Sequence, residues 1–312
     1  MAEFLDSLNK EQRAAVQQID GPLLIMAGAG SGKTKALTCR IAYMLEKGIA
    51  PHKILAITFT NKAAQEMRER VHNLVGSEAE YIWMYTFHSF GARFLRREIR
   101  NYPPYTSQLT IYDSDDSKQL IKNILKEMNL DDKQFQPNAV AGHISSAKNR
   151  LLGPAAYRKA VGDNFFAQRI ADIYDRYDAA MKRNNALDFD DLLLVTTELL
   201  RKKEIREKWQ NCFHYILIDE YQDSNLIQEA ILTSISTVSE GRYNIFMVGD
   251  VKQSIYRFRL SRPELFMEKF NTYDTDDSKT QRIDLHKNFR SRREVLEGVN
   301  YIFRQIMTRE LG

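Results

Sequence analysis

Short apolar runs alternate with helical spacing through the first hundred residues of the chain. The runs 23–27, 54–59 and 82–86 are mostly apolar and strand-sized, a pattern typical of buried parallel strands. Between them, 33–45 and 61–75 carry apolar residues at intervals of three and four, as expected of helices that bury one face. Repetition of strand, helix and strand predicts a parallel sheet with right-handed crossovers.

The pattern changes at about Pro103, after which helical spacing continues to Leu200 without a convincing strand. Asp113 is a candidate N-cap for a helix that runs to Met128, and 165–181 predicts another amphipathic helix. Strand patterns then resume at 214–218, 244–248 and 281–285. The sequence therefore predicts an α/β domain formed by 1–104 and 187–290, interrupted by an all-helical insertion at 105–186.

The composition is that of a globular protein, and it argues against metal, disulfide, secreted and membrane-spanning classes. The 312 residues are 43% hydrophobic and 28% charged, which is enough apolar material for a core. The two cysteines, Cys39 and Cys212, lie far apart without metal-ligand spacing, so we expect neither a zinc site nor a disulfide framework. The first twelve residues lack the apolar stretch of a secretory signal, and no apolar run approaches membrane-spanning length. A cytoplasmic location is expected.

The net charge of +4 is too small to indicate a nucleic-acid partner by itself. Its distribution is more informative, because 281–312 contains seven Lys and Arg against four Asp and Glu. The end of the chain is therefore a candidate partner surface, or the point at which a missing remainder would continue.

Residues 27–34, AGAGSGKT, form a glycine-rich loop between a predicted strand and a predicted helix, which is the context of a P-loop. Glycines allow backbone N–H groups to surround a phosphate, Lys33 supplies a positive charge, and Thr34 can ligate Mg²⁺. The strict pattern begins with glycine, and Ala27 occupies that position here.

A second apolar strand ends in two carboxylates, Asp219 and Glu220. Asp219 can hold Mg²⁺, and Glu220 can orient or deprotonate a water molecule. This division of labour favours hydrolysis of ATP over phosphoryl transfer to another substrate.

These segments, together with others between and around them, resemble the superfamily 1 DNA helicases of the UvrD/Rep/PcrA type. In chain order they are 8–12 (LNKEQ), 27–34 (AGAGSGKT), 57–64 (ITFTNKAA), 85–89 (YTFHS), 219–223 (DEYQD), 248–257 (VGDVKQSIYR) and 288–291 (NFRS). They match the Q motif and motifs I, Ia, a further DNA-side motif, II, III and IV of that family. The resemblance implies a RecA-like P-loop NTPase domain.

The resemblance also implies roles for single residues. Gln12 would read adenine, Phe289 would stack on it, Gln253 would couple the γ-phosphate to the DNA side, and Arg290 would be an arginine finger. The candidate catalytic residues are Glu220, Asp219, Lys33, Gln253 and Arg290. Candidate ATP-binding residues are Gln12, Ala27, Gly28, Ala29, Gly30, Ser31, Gly32, Lys33, Thr34, Lys35, Phe289 and Arg290, with Thr34 and Asp219 as Mg²⁺ ligands.

Single-stranded DNA and junctions with duplex DNA are the partners that the resemblance implies. Binding of single strands uses aromatic platforms and polar groups along the backbone. The candidates in the DNA-side motifs are Phe59, Asn61, His88, Tyr256 and Phe258. Core positions at strand ends are the alternative interpretation of Phe59 and Phe258, and Phe258 replaces the tryptophan usual in UvrD-like chains.

Residues 1–225 look like PcrA or UvrD, whereas 225–312 look closer to the AddA subunit of a helicase-nuclease. The change falls near 219–224, a stretch common to both subfamilies, which suggests a chimera joined there. The family's second motor domain should carry motifs V and VI, but the chain stops at Gly312, so 291–312 is interpreted as the start of a truncated second domain.

The leading hypothesis is therefore the ATP- and DNA-binding first motor domain of a 3′–5′ DNA helicase for repair or recombination. Because the second domain is expected to be missing, very slow ATP hydrolysis and no unwinding are expected of this chain alone. A catalytically silent binding module and a P-loop kinase remain alternatives. Gln222 and the segment 58–62 favour the helicase over the kinase.

Overall fold

A computed structural model describes residues 3–238, 241, 244–255, 260–275 and 280–307. Its contacts divide the chain into two compact units. Unit 1 comprises Met1–Thr86, Gln210–Ser224 and Ser236–Gly312, and unit 2 comprises Phe87–Trp209 and Asn225–Ile235. The predicted insertion, 105–186, lies wholly within unit 2.

Helices and strands are numbered in chain order. They are α1 (Glu3–Asp6), α2 (Lys10–Gln17), β1 (Leu23–Ala27), α3 (Lys33–Glu46), β2 (Ile54–Thr58), α4 (Asn61–Val75), β3 (Trp83–Thr86), α5 (Phe87–Glu98), β4 (Thr110–Ile111), α6 (Ser114–Glu127), α7 (Pro137–Asn149), α8 (Pro154–Ala160), α9 (Phe165–Arg183), β5 (Ala186–Leu187), α10 (Phe189–Leu200), α11 (Lys203–Cys212), β6 (Tyr215–Ile218), α12 (Leu226–Ile235), β7 (Ile245–Gly249), α13 (Pro263–Thr272), β8 (Gln281–Leu285) and α14 (Arg293–Ile306).

The sheet of unit 1 has six strands in the order β3-β2-β6-β7-β1-β8, and every neighbouring pair is parallel. Parallel strands place their carboxyl ends along one edge, where ligands of open α/β sheets bind. The loops after β1, β6, β7 and β8 therefore meet at the same edge. The prediction of an α/β fold with a parallel sheet is confirmed.

The core of unit 1 is formed by the apolar strands and the buried faces of α3 and α4. Ile25, Ala56 and Val248 on the strands, with Ile41 of α3 and Met67 of α4, are among its fully buried members. Burial on both faces explains why these strands are apolar along their whole length. The helix α4 has the predicted bounds and begins after Thr60, whose side chain accepts a hydrogen bond from the N–H of Ala63.

Unit 2 is built mainly of helices around a separate core. Ile121, Ile144, Ile173, Tyr174 and Tyr177 are buried there. The helix predicted to follow Asp113 begins at Ser114, and the side chain of Asp113 caps it.

The prediction that the insertion is all-helical is wrong in one detail. Strands β4 and β5 form a short parallel pair, Thr110 with Ala186 and Ile111 with Leu187. Two residues are too few to show the alternation from which strands are recognised in a sequence. Thr110 and Ile111 are also exposed, so β4 lacks the apolar character of a buried strand.

Unit 2 also begins earlier in the chain than the predicted insertion. Phe90 and Phe94 of α5 are buried and pack on Trp209, the last residue of the first segment of unit 2. Within the described ranges, no helix has the length and apolarity needed to cross a membrane.

Candidate functional site

The glycine-rich loop lies between β1 and α3, at the carboxyl edge of the sheet of unit 1. Gly30 and Gly32 have φ angles of 73° and 87°, in the left-handed region that glycine adopts without steric cost. Gly32 is the N-cap of the fourteen-residue helix α3, and Lys33 is its first residue. The loop thus brings the N–H groups of a helix N-terminus to a position where they can receive a phosphate.

Gln12 packs against the glycine-rich loop and bonds to Ser31. The Ser31 hydroxyl is buried and has no hydrogen-bond partner among the residues that the structure describes, so it is open to a bond from a ligand. The Gln12 amide nitrogen donates to the carbonyl oxygen of Ser31 over 2.8 Å. A Cβ on Gly32 would lie 2.5 Å from the same nitrogen, so this packing needs glycine at position 32.

Gln12 is therefore engaged at both ends in the structure. Its side-chain oxygen accepts a hydrogen bond from the N–H of Asn9 and closes a capping box at the start of α2. Gln12 is buried, and its amide is already committed to Ser31 and Asn9. The role of Gln12 in reading adenine stays a prediction.

Asn288 joins the loop after β8 to the glycine-rich loop. Its amide nitrogen donates to the carbonyl oxygen of Ala29 over 2.7 Å, and its side-chain oxygen accepts from the N–H groups of Arg290 and Ser291. The N–H of Phe289 donates to the carbonyl oxygen of Gly30 over 2.8 Å. A single asparagine thus fixes the backbone that carries Phe289 and Arg290 relative to the phosphate loop.

The two residues positioned in this way are open to solvent. The ring of Phe289 is 62% exposed, and Arg290 is also exposed. Exposure is required of an aromatic platform that receives a base and of a guanidinium that reaches a phosphate. Lys35, the last residue predicted to bind nucleotide, is exposed and donates to the carbonyl oxygen of Ser7.

Lys33 is one member of a closed ring of hydrogen bonds, which joins five side chains and one backbone N–H. Its ammonium group donates to Glu220 Oε2 over 2.9 Å and to Gln253 Oε1 over 3.0 Å. Gln253 donates to Asp250 Oδ2, the N–H of Asp250 donates to Gln222 Oε1, and Gln222 donates to Glu220 Oε2. The ring unites residues that follow three different strands, β1, β6 and β7.

Gln222 and Asp250 are members of this ring that were not among the predicted site residues, although Gln222 had favoured the helicase over the kinase. Gln222 is 1% exposed and Asp250 is 2% exposed. A Cβ on Gly249 would lie 2.3 Å from Gln222 Oε1, so the glycine allows Gln222 to approach β7. Their positions in the sequence offered a clue, because each follows a buried strand within a segment that carried the resemblance. Position in the sequence does not show, however, which side chains point inward.

Glu220 has a backbone conformation that is costly for a residue other than glycine. Its φ is 52° and its ψ is 43°, in the left-handed region, and such conformations concentrate at functional sites. The turn that follows, Tyr221–Asp223, is a short 3-10 helix. This geometry turns the Glu220 carboxylate toward Lys33, and the side chain stays about one third exposed.

Asp219 is 4% exposed, and its carboxylate accepts a hydrogen bond from the N–H of Glu220. The pKa of Asp219 is raised to about 7, first by burial and then by the negative charge of Glu220, while the positive charge of Lys33 opposes both. Burial makes the charged form of this carboxyl group unfavourable, and a bound cation would offset that cost. The donor type and its electrostatics therefore fit Mg²⁺, with Thr34 at the start of α3 as the other predicted ligand.

We expect Asp219→Asn to raise the unfolding temperature at pH 8 in EDTA and to raise it by less than half as much at pH 5. The pKa of Asp219 is higher in the folded protein, about 7, than its ordinary value of 3.8, so the folded state holds a proton that the unfolded state loses. The stability of the native protein therefore falls as pH rises through this window, by up to about 4 kcal/mol. Asparagine has no charge to bury.

Thermal unfolding followed by circular dichroism at the two pH values measures this effect. Glu264→Gln is the matched control, because that carboxyl group is 78% exposed and belongs to the same unit. A variant less stable than the native chain at pH 8 would contradict the assignment of Asp219 as a strained, buried acid.

Three of the predicted DNA-binding residues lie within the described ranges. Phe59 is half-buried and lines a surface pocket of about 220 Å³ together with Thr60, Glu220 and Gln253. Asn61 is exposed at the start of α4. The pocket connects the carboxylate of the phosphate site to the segment after β2, as expected if nucleotide and DNA contacts communicate.

The remaining DNA candidates are placed elsewhere. His88 belongs to unit 2, where its ring packs edge-on against that of Phe189 with the centroids 6.1 Å apart. Phe189 is 54% exposed. Tyr256 and Phe258 lie outside the described residues.

Comparisons with known proteins agree with this geometry. The family model described as the UvrD/REP helicase N-terminal domain matches residues 8–274. The chain is 44% identical over 306 residues to ATP-dependent DNA helicase PcrA of Staphylococcus aureus strain Mu50, and equally to PcrA of Staphylococcus epidermidis strain RP62A. Each alignment covers 97% of this chain and 41% of the relative. The chain thus spans about two fifths of the length of these curated relatives. The AddA-like character of 225–312 and the chimeric junction stay predictions.

Proposed function

This chain belongs to the UvrD/REP helicase N-terminal domain family, and we propose from this that it is the ATP-binding and single-stranded-DNA-binding motor domain of a 3′–5′ DNA helicase. DNA repair or recombination in the cytoplasm is the proposed setting. The observation that carries the proposal is the hydrogen-bonded ring, which joins the P-loop lysine to the carboxylate that would activate water. The names of the relatives, ATP-dependent DNA helicase PcrA, support the same activity.

The residues of this chain have separate tasks in ATP binding. The N–H groups of the glycine-rich loop and the Ser31 hydroxyl would receive phosphate oxygens, and Phe289 would offer its exposed ring to the base. Thr34 and Asp219 would hold Mg²⁺, which supplies positive charge to the β- and γ-phosphates when bound. Lys33 would exchange its bonds to Glu220 and Gln253 for contacts with phosphate.

That exchange leaves Glu220 and Gln253 available for catalysis. Glu220, freed from the ammonium group, would orient a water molecule and accept its proton. Gln253 lines the pocket that contains Phe59, so a change in its bonds when the γ-phosphate is present would alter that pocket. Arg290 would neutralise charge on the transferred phosphoryl group.

ATP turnover measured with and without single-stranded DNA tests this proposal. A DNA-dependent increase in phosphate release supports the helicase motor. Nucleotide and DNA binding without turnover under any condition would favour the silent binding module, and a phosphorylated product in place of free phosphate would favour the kinase.

Replacement of Phe59 by alanine is expected to weaken binding of oligothymidylate by about 1 to 3 kcal/mol, because a stacked base contributes that amount. Fluorescence anisotropy of labelled oligothymidylate measures the effect, and Tyr81→Ala, an exposed aromatic of the same unit, is the control. Loss of thermal stability with unchanged DNA affinity would instead identify Phe59 as a core residue.

A further inference from the structure

Helix α5 and the turn that follows it present a row of arginines to solvent. Arg93, Arg96, Arg97 and Arg100 are all exposed, and their spacing of three and four residues places them on one side of the helix. The opposite side, which includes Phe90 and Phe94, is fully buried. We call these four arginines the arginine face. It belongs entirely to unit 2.

A second basic segment, 201–209, packs beside the arginine face. Lys208 contacts Glu98 Oε1 at 2.6 Å, and the indole N–H of Trp209 donates to the same oxygen over 3.0 Å. The ammonium group of Lys202 donates to the carbonyl oxygen of Asn101. The two segments, which are about a hundred residues apart in sequence, therefore form one continuous basic surface.

The net positive charge of this surface is larger than the net charge of the whole chain. Segments 87–101 and 201–209 contain nine Lys and Arg against three Asp and Glu, a net charge of +6, whereas the net charge of all 312 residues is +4. Among the three acids, Glu98 is buried beneath the surface and Glu207 is paired with Lys203. A concentrated positive surface on a nearly neutral protein attracts a polyanion.

The surface lacks the apolar groups that other kinds of partner require. In these two segments, which the structure describes throughout, no large hydrophobic side chain is exposed, and Trp209 is 2% exposed. A protein partner would need buried anchors at its centre, typically aromatic side chains. Single-stranded DNA would need aromatic platforms for its unstacked bases. A duplex needs neither, because its bases are stacked and its phosphates face outward.

We propose that the arginine face binds the sugar-phosphate backbone of double-stranded DNA, as a nucleic-acid surface separate from the pocket that contains Phe59. A helix rises about 1.5 Å per residue, so the face is about 10 Å long. Phosphates recur about every 3.4 Å along each strand, so the face matches about three of them. Guanidinium groups bind phosphate oxygens in pairs and suit this contact better than lysines.

The proposal extends the proposed function by locating a duplex site, and it would stand even if ATP binding at the phosphate loop failed. The test measures binding of the full chain to a labelled blunt duplex across a series of salt concentrations, for the native chain and Arg96→Gln/Arg100→Gln. We expect the double variant to bind the duplex about tenfold more weakly at low salt. The slope of log affinity against log salt should fall by about two, one for each phosphate contact removed.

Three controls make the result decisive. Lys122→Gln/Lys126→Gln removes the same charge from exposed positions of α6 in the same unit and should leave duplex affinity within about twofold. Arg96→Lys/Arg100→Lys keeps the charge and should retain most of the salt slope. Nucleotide affinity and the melting temperature of all variants should match the native chain.

An equal loss of duplex affinity in Lys122→Gln/Lys126→Gln would overturn the proposal, because the weaker binding would then follow from the lower net charge alone. An unchanged duplex affinity in the double arginine variant would also overturn it. A loss confined to oligothymidylate would show that the face contacts single strands instead, which the proposal excludes.

Discussion

Lys33→Ala is expected to weaken binding of Mg·ATP at least about tenfold, which is the largest effect on nucleotide affinity that we predict for one side chain. The ammonium group is the only charge of the glycine-rich loop 27–34, and a charge-assisted contact with phosphate contributes about 1.5 to 3 kcal/mol. Because Lys33 also lowers the pKa of Asp219, its removal should make protonation of that carboxyl group easier and further weaken the Mg²⁺ site. Isothermal titration calorimetry with a non-hydrolysable ATP analogue measures the change.

Lys47→Ala is the matched control, because Lys47 is an exposed lysine at the opposite end of α3 from the phosphate loop. Its effect on affinity should be less than about threefold. Equal affinities of the native chain and Lys33→Ala would contradict the assignment of the phosphate site.

Glu220→Gln is expected to reduce ATP hydrolysis by about 10² to 10⁴ while nucleotide affinity stays within a few-fold of the native value. The amide keeps the size of the side chain and can still take part in the hydrogen-bonded ring, but it cannot accept a proton from water at neutral pH. Single-turnover release of labelled phosphate compares the two proteins even where the absolute rate is low.

The exposed Glu264→Gln again provides a variant with the same change of charge in the same unit, and its rate should equal that of the native chain. Calorimetry should show that Glu220→Gln still binds the ATP analogue. Hydrolysis that persists at the native rate in Glu220→Gln would place the catalytic base elsewhere.

The hydrogen-bonded ring gives these predictions a common physical basis. In the structure, the positive charge of Lys33 is balanced by Glu220 and by the carbonyl dipole of Gln253. Phosphate must compete with these partners, so part of the binding energy is used to open the ring. The same event releases the carboxylate and the amide at the moment when a γ-phosphate is present, which ties catalytic competence to nucleotide binding.

The local parts of this arrangement can be predicted from the amino-acid pattern alone. The strands and helices of unit 1 follow from apolar runs and from apolar spacing, because a buried strand must be apolar on both faces and a packed helix on one. The phosphate loop follows from glycines between a strand and a helix, and Asp219 and Glu220 follow from their place after a strand. Each of these depends on neighbours within about ten residues, which a linear pattern can record.

Which of these parts meet depends on the order of the strands in the sheet. The bonds from Lys33 to Glu220 and Gln253 span 187 and 220 residues of sequence, and they exist because β1, β6 and β7 are adjacent in the sheet. Spacing could suggest Asp250 and Gln222 as polar residues after strands, yet only the sheet order turns them into members of one ring.

The same reason explains the features that sequence reasoning placed imperfectly. Asn288 acts through contacts with Ala29, 259 residues away, and the β4 and β5 pair joins segments with no strand pattern of their own. The arginine spacing of α5 is visible in the sequence, but its union with 201–209 depends on the packing of Trp209 against Phe90 and Phe94. Long-range contacts of this kind are set by the burial of whole elements, and no local pattern encodes the partner that each element finds.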